Sequence, residues 1–182
     1  GTKRFPGVLA LDAVSFRLMP GEVHALVGEN GAGKSTLMHV LAGVFPPDAG
    51  RIDFDGHADI HLANERAARD RGIALVYQER SLFGPLSVAD NVFAGRQPRT
   101  RWGWIDRRRL RADTERLLRQ VGLDVDPDAP VDGLSSARQQ LVEVAKALSL
   151  HAKLILFDEP TAALSGAEVE ALFGLIRRLR DQ

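Results

Sequence analysis

The chain has 182 residues, a length that favours one domain and allows at most two. Its 24 lysine and arginine residues balance 24 acidic residues, so no overall positive field attracts nucleic acid or an anionic membrane. The absence of cysteine excludes disulfides, thiol nucleophiles and cysteine-bound zinc, and the longest apolar run, residues 40–45, is far shorter than the about 20 residues that span a bilayer.

The first half of the chain alternates between β-prone segments and helical patterns. Residues 22–27 alternate in polarity and predict a strand, and a glycine-rich stretch over 28–33 breaks that pattern. Helical spacing follows over residues 35–42 and ends at Gly43. Three further elements are predicted: a short edge strand over 51–55, a polar helix over 63–70 and a buried parallel strand over 73–76.

Serine and aspartate residues at capping positions mark the helices of the second half. Ser87, with Asp90 three residues later, opens a short helix through Ala94, and Asp106 caps a longer helix that ends at Gly122. Three more elements follow: a helix from Ser135 to Leu150, a buried strand over 153–157 and an amphipathic helix after Ser165. Strands that alternate with helices imply an α/β fold with a mainly parallel sheet covered on both faces.

The glycine-rich stretch predicts a phosphate-binding loop. Residues 28–35 match the pattern G-x-x-x-x-G-K-[ST] between a predicted strand and a predicted helix. The glycines at 28, 31 and 33 let backbone N–H groups turn toward phosphate oxygens, and the helix adds its positive dipole end. Lys34 would place its charge on the β- and γ-phosphates, and Ser35 would offer a hydroxyl to Mg²⁺. An ordinary glycine-rich turn is the alternative, which the strand–loop–helix context disfavours.

Two carboxylates follow the predicted strand over 153–157. Asp158 and Glu159 lie at its carboxyl end, where ligands bind in open α/β sheets. Asp158 would hold the water shell of Mg²⁺, and Glu159 would polarise a water for in-line attack on a γ-phosphate. Gln78 closes the strand over 73–76 and could reach Mg²⁺ or the attacking water. Without the glycine loop, the acidic pair and Gln78 would be weak signals.

Together these residues resemble the nucleotide-binding domain of an ABC transporter. The family's motifs occur in its order: a Walker A loop at Gly28–Ser35, a glutamine loop at Gln78, a signature-like Leu134–Gln139 and a Walker B end at Asp158–Thr161. Phe5, which lies 23 positions before Gly28, matches the aromatic residue that stacks on adenine in the family. The amino-acid sequence is most similar to the first half of the double-domain ATPases that drive bacterial monosaccharide import, and the resemblance covers nearly the whole chain.

The resemblance implies a P-loop NTPase core with a mainly parallel sheet, an antiparallel edge and a helical insert subdomain. Residues 1–79 would form the core with its antiparallel edge, residues 80–133 the insert, and residues 134–182 the signature helix, the Walker B strand and the following helix. The chain begins close to Phe5 and stops at Gln182, before the strand and the histidine that sense the γ-phosphate in the family. We therefore expect one ATPase domain, incomplete at both ends.

The resemblance also implies hydrolysis of ATP with Mg²⁺, coupled to transport of a monosaccharide. The implied catalytic residues are Glu159, Lys34 and Gln78, and the implied metal-binding residues are Ser35, Gln78 and Asp158. The implied nucleotide-binding residues are Phe5, Gly28, Asn30, Gly31, Gly33, Lys34, Ser35, Thr36 and Ser135. The partners would be transmembrane permease subunits and a second ATPase domain of the same or another chain. The location would be cytoplasmic, peripheral on the inner face of the cell membrane, and the fragment alone would hydrolyse ATP weakly.

The signature-like segment departs from the family's pattern. Residues 136–138, Ser-Ala-Arg, replace the usual Gly-Gly-Gln. Ser135 and the start of its helix remain available to a partner's γ-phosphate, but the close approach that glycine permits is partly lost. We therefore expect two unequal ATP sites in the assembled protein. Ser165 also stands where the family usually has aspartate, which leaves its role at a dimer interface open.

An ATP-dependent ATPase that acts on nucleic acid is the alternative function. The segment from Arg96 to Arg119 carries nine arginines against three acidic residues. Only Trp102 and Trp104 interleave with these cations, and arginines at helical spacing usually mark a solvated face, so nucleic acid is not expected as a partner. Only 55 residues separate Gln78 from Leu134, too few for the long coiled coil of chromosome-clamping relatives.

Overall fold

The computed structural model describes residues 1–77, 81–161 and 164–181. Its strands form two pairs. An antiparallel pair joins β1 (Lys3–Phe5) to β2 (Val8–Leu11). A parallel pair joins β3 (Ile73–Val76) to β4 (Leu154–Phe157), with Ile73 opposite Leu154 and Val76 opposite Phe157. The fold therefore has the predicted parallel strands with a separate antiparallel edge.

The helices begin and end close to the predicted residues. They are α1 (Lys34–Leu41), α2 (Glu65–Asp70), α3 (Val88–Val92), α4 (Arg107–Val121), α5 (Ser136–Leu148) and α6 (Gly166–Arg180). The Ser87 hydroxyl accepts from the Asp90 N–H at 3.0 Å, and Asp106 accepts from the Arg109 N–H at 3.0 Å. Gly122 ends α4 with a φ of 75°. Local capping chemistry thus fixes where these helices begin and end.

Helices cover both faces of the parallel pair. Successive side chains of a strand point to opposite faces. Ile73 packs with residues of α1 and α2, whereas Ala74 and Val76 pack with Ala147 of α5. Helix α5 also packs against the helical insert, where Val142 and Val144 share a buried cluster with Val88 and Leu118. One helix therefore joins the insert to the sheet.

Two predicted strands are wrong. In the described residues no strand pairs with residues 22–27, and the Val27 side chain is 93% exposed. A strand forms only with a neighbour whose N–H and C=O groups complete the ladder, and polarity alternation does not provide one. The strand predicted over residues 51–55 is replaced by a turn over residues 54–57, because Asp55 and Gly56 both have positive φ and the Phe54 N–H donates to the His57 carbonyl at 2.9 Å. The Asp-Gly pair is the sequence signal for this turn.

Within the part of the chain that the structure describes, every helix is too short or too polar to cross a lipid bilayer.

Candidate active site

The glycine loop lies directly against the antiparallel pair. Gly31 and Gly33 have φ values of 83° and 89°, in the left-handed region that favours glycine. A Cβ on Gly33 would stand 2.4 Å from the carbonyl oxygen of Ala10 in β2. Position 33 therefore requires glycine both for its backbone conformation and for space. The Gly33 carbonyl accepts from the Leu37 N–H at 2.9 Å, so α1 begins at the end of this loop.

Lys34 is folded back over the loop. Its ammonium donates to the carbonyl oxygens of Gly28 at 2.7 Å and of Glu29 at 2.8 Å. An ammonium group has three donors, so one remains for an oxyanion at the loop. The lysine is half-buried and is the first residue of α1. Asn30 lies exposed between these carbonyls and Gly31, and Thr36 is half-buried in the first turn of α1.

Ser35 and Asp158 bring two distant motifs together. The Ser35 hydroxyl donates to the Asp158 carboxylate at 2.9 Å across 123 residues. Asp158 is only 5% exposed, and its N–H donates to the Val76 carbonyl at 3.0 Å, so the end of β3 fixes its position. The structure therefore places the glycine loop beside the carboxyl end of the parallel strands.

Glu159 follows immediately and is exposed, with a φ of 45°. A residue other than glycine rarely adopts this conformation, which concentrates at functional sites. Gln78, assigned to catalysis and to metal binding from the sequence, lies outside the described residues. Its neighbour Tyr77 is half-buried at the end of β3. Burial raises the pKa of Tyr77, and a hydrogen bond with Glu65 raises it further.

Phe5 lies on β1, in the antiparallel pair. Its ring packs edge to face against Phe45 with a centroid separation of 5.4 Å, and the Lys3 ammonium lies 5.6 Å from the ring centre. The Phe5 side chain is half-buried, and its strand is the hairpin partner of β2, which contacts Gly33. The candidate adenine-stacking residue thus belongs to the same hairpin that supports the phosphate loop.

Ser135 caps α5 rather than joining the loop. Its hydroxyl accepts from the Arg138 N–H at 3.4 Å, and the residue is exposed. No hydrogen bond links Ser135 to the glycine loop within residues 1–77, 81–161 and 164–181. This location suits a group that faces a second molecule.

A buried polar cluster of Ser81, Glu143 and Lys146 was not predicted from the sequence. Glu143 of α5 is 5% exposed, and its carboxylate accepts from the N–H of Ser81 at 2.7 Å and from the Ser81 hydroxyl at 3.1 Å. Lys146 donates to the same hydroxyl at 2.8 Å. The cluster ties Ser81, three residues after Gln78, to the signature helix. The sequence feature that could have indicated this cluster is Glu143, a charged residue between Val142 and Val144 on an apolar helix face.

The family of the chain follows from comparisons with known proteins. Residues 11–162 match the family profile of the ABC transporter. The chain is 54% identical over 181 residues to the ribose import ATP-binding protein RbsA 2 of Streptomyces avermitilis and 55% identical over 181 residues to RbsA 1 of Streptomyces coelicolor. Both comparisons cover 100% of this chain but 36% of the relative, so the chain spans about a third of the length of these curated relatives.

Solved structures show the same fold. A nucleotide-free ATP-binding cassette from an ABC transporter matches with a TM-score of 0.85 and 26% identity over 99% of this chain and 74% of that chain. A dimeric cassette in a post-hydrolysis state bound to ADP and Pi matches with a TM-score of 0.80 and 25% identity over 99% of this chain and 79% of the other. The α/β P-loop fold predicted from the sequence is thereby confirmed, and the chain belongs to the ABC transporter family.

Proposed function

We propose that this chain is the nucleotide-binding part of a protein that hydrolyses ATP to drive import of a monosaccharide, ribose being the first candidate. Family membership supports ATP as the nucleotide, and the relatives' function in ribose import supports the cargo. The observation that carries the proposal is the 2.9 Å hydrogen bond between Ser35 and Asp158, because it joins a phosphate-binding loop to an acidic strand end.

The residues at this junction fit Mg²⁺. The ion prefers oxygen ligands, and the Ser35 hydroxyl and the Asp158 carboxylate are such groups in contact. Asp158 is buried, and no cationic side chain forms an ion pair with it in the described part of the chain. Ser35 and Asp158 would hold the ion, with Gln78 as a further ligand. Bound there, Mg²⁺ would neutralise charge on the phosphate oxygens.

The predicted site residues that do not hold Mg²⁺ bind the nucleotide or take part in phosphoryl transfer to water. The loop N–H groups from Gly28 to Gly33, with Asn30 and Gly31 between them, surround the phosphates, and the remaining donor of Lys34 contacts a phosphate oxygen. Thr36, in the first turn of α1, is a further nucleotide-binding residue of this proposal. Glu159 accepts a proton from the attacking water, and Phe5 stacks on adenine.

The partner surfaces follow from the exposed residues. Ser135 faces the γ-phosphate bound by a second ATPase domain. The insert over residues 80–133, where Trp102 and Trp104 are 74% and 77% exposed, contacts permease subunits at the inner face of the membrane. The assembled protein would therefore be peripheral to the membrane, and the 182-residue chain alone would turn over ATP slowly.

A nucleic-acid function is disfavoured by ion pairing within the arginine-rich segment. Arg107 contacts Asp90 at 3.1 Å, Arg111 contacts Asp126 at 2.9 Å and Arg116 contacts Asp113 at 3.0 Å. Carboxylates therefore offset much of the positive charge that would attract a phosphate backbone. Salt-sensitive retention of RNA or DNA by the full-length protein in a filter-binding assay would contradict the transporter function.

Replacement of Glu159 tests the enzymatic part of the proposal. In the full-length protein, Glu159→Gln should leave ATP affinity within about twofold and lower the turnover rate by at least about 100-fold, since a positioned base contributes about 10² to 10⁴. Glu170→Gln, at an exposed position on α6, is the matched control and should leave both values unchanged. Unchanged turnover in Glu159→Gln would refute the assignment of the base.

A further inference from the structure

A basic cleft lies at the amino-terminal end of the parallel strands, opposite the end that carries Asp158. Its volume is about 950 Å³, and it lies between α2, the turn before β3 and the segments that follow α3 and α5. The arginine and lysine residues that line it are Arg66, Arg69, Arg71, Arg96 and Lys153, and His57 and His151 also line it. Only two carboxylates, those of Asp55 and Asp70, line the same cleft within the described residues.

Strand direction separates this cleft from the ATP site. Gly72 and Lys153 line the cleft and precede β3 and β4, whereas Asp158 follows β4. Because the two strands are parallel, their starting ends lie at one edge of the sheet and their carboxyl ends at the other. A strand of four residues is about 13 Å long, which is too far for one phosphate group to contact both edges.

The two carboxylates are already engaged. Asp55 accepts from the Lys153 ammonium at 2.5 Å, and Asp70 lies 4.0 Å from the Arg66 guanidinium. For Arg69, Arg71 and Arg96, no ion pair with a carboxylate occurs among residues 1–77, 81–161 and 164–181. The cleft therefore contains three guanidinium groups whose charge these two carboxylates do not offset.

Arg96 is held rigidly at the wall of the cleft by neutral groups. It donates to the Val92 carbonyl at 3.0 Å, to the Ser149 carbonyl at 3.1 Å and to the Ser149 hydroxyl at 2.8 Å. A guanidinium has five N–H donors, so two remain. Burial lowers the pKa of Arg96, and the nearby positive charge of Arg69 lowers it further. A bound anion would reduce the repulsion between these two guanidinium groups.

We propose that this cleft binds a phosphate group, free or carried by a phosphorylated small molecule, through Arg69, Arg71 and Arg96. Guanidinium groups suit this ligand because their paired N–H donors match the oxygens of a phosphate. Arg96, fixed by its three hydrogen bonds, supplies its remaining Nε and Nη1 donors, and Arg69 and Arg71 contribute guanidinium groups from the end of α2. The site is distinct from the nucleotide site and does not depend on its activity.

Calorimetric titration of the full-length protein tests this site. The phosphate loop is first saturated with a non-hydrolysable ATP analogue and Mg²⁺, and inorganic phosphate or ribose 5-phosphate is then added. Saturable binding of either probe should weaken by at least about tenfold in Arg69→Gln and in Arg71→Gln, as expected for loss of a charged hydrogen bond. Arg108→Gln, an exposed arginine of α4 outside the cleft, should bind like the unaltered protein.

The two probes distinguish the sources of the phosphate. Tighter binding of ribose 5-phosphate identifies a phosphorylated metabolite, and equal binding identifies the free ion. Absence of saturable binding for both probes, or binding by Arg69→Gln and Arg71→Gln that is as tight as in the unaltered protein, overturns the proposal. Binding of a single-stranded RNA that depends on Arg69 and that phosphate cannot displace would also overturn it.

Discussion

The Ser35 hydroxyl and the Asp158 carboxylate are hydrogen-bonded at 2.9 Å, although 123 residues separate them in the chain. Ser35 begins a helix after the glycine loop, and Asp158 ends a strand whose neighbour, β3, holds its backbone N–H. This single contact fixes the phosphate loop against the sheet. The Asp158 carboxylate is buried and forms no ion pair within the described residues, and this has consequences for both activity and stability.

Asp158→Asn should separate these two consequences. An asparagine can still accept from Ser35, but it removes the buried charge, so the nucleotide-free protein should gain about 1 kcal/mol in its free energy of unfolding. Activity should fall by at least about 100-fold, since the ligand for Mg²⁺ is weakened. Denaturant titration and a steady-state ATPase assay of the full-length protein measure the two effects. A destabilised Asp158→Asn protein would show that the carboxylate is compensated after all.

Gly33→Ala should disrupt the phosphate loop. The added methyl group would stand 2.4 Å from the Ala10 carbonyl and would also impose a side chain on a φ of 89°. We expect a loss of about 2–3 kcal/mol in the free energy of unfolding and a loss of at least tenfold in ATP affinity.

Gly7→Ala is the matched control for Gly33→Ala. Gly7 has a φ of 78°, but nothing lies within 4 Å of the position that a Cβ would take. This variant carries the conformational cost without the clash, so it should lose only about 1 kcal/mol and keep its affinity for ATP. Equal losses in the two variants would rule out a specific role for the contact with Ala10.

Glu143→Gln tests the buried cluster on the signature helix. The carboxylate accepts two hydrogen bonds from Ser81 and lies 4.0 Å from the Lys146 ammonium. An amide of the same shape weakens these contacts, so denaturant titration should show a loss of about 1–3 kcal/mol. Glu115→Gln removes an exposed ion pair with Arg111 and should cost at most about 0.5 kcal/mol. If both variants lose the same amount, burial gives Glu143 no special role.

Asp48 should make the antiparallel pair sensitive to acid. A hydrogen bond from the Arg4 N–H, followed by the Lys3 ammonium, lowers the pKa of Asp48 below its ordinary value. The folded pKa is thus below the unfolded pKa of about 3.9, so the stabilisation is present above that pH and is lost as pH falls through the folded pKa.

Asp48→Asn should therefore flatten the acid side of the stability profile. Urea midpoints measured from pH 7 down to the acid transition should decline less steeply in this variant than in the unaltered protein. Asp12→Asn, which changes an exposed aspartate with no ion pair in the described residues, should keep the original profile. A profile of Asp48→Asn that matches the unaltered protein would exclude the proposed contribution.

The elements predicted correctly from the sequence are those with local determinants. Helix α4 begins after Asp106 and ends at Gly122 because both caps act within one turn of chain. The strand predicted over residues 22–27 failed because its ladder depends on a partner that no local pattern specifies. Glu143 was missed for a similar reason, since its partner Ser81 lies 62 residues away.

The contact between Gly33 and Ala10 would link the two ends of a nucleotide bound as proposed. Phe5, proposed to stack on adenine, and Ala10, which touches the phosphate loop, belong to one hairpin and are joined by only a few residues. The short backbone segment from Phe5 to Ala10 would therefore set the distance between the positions that bind the purine ring and the triphosphate. Nucleotide analogues with a longer or shorter connection between base and phosphates would lose either the contact with Phe5 or the contacts with the phosphate loop.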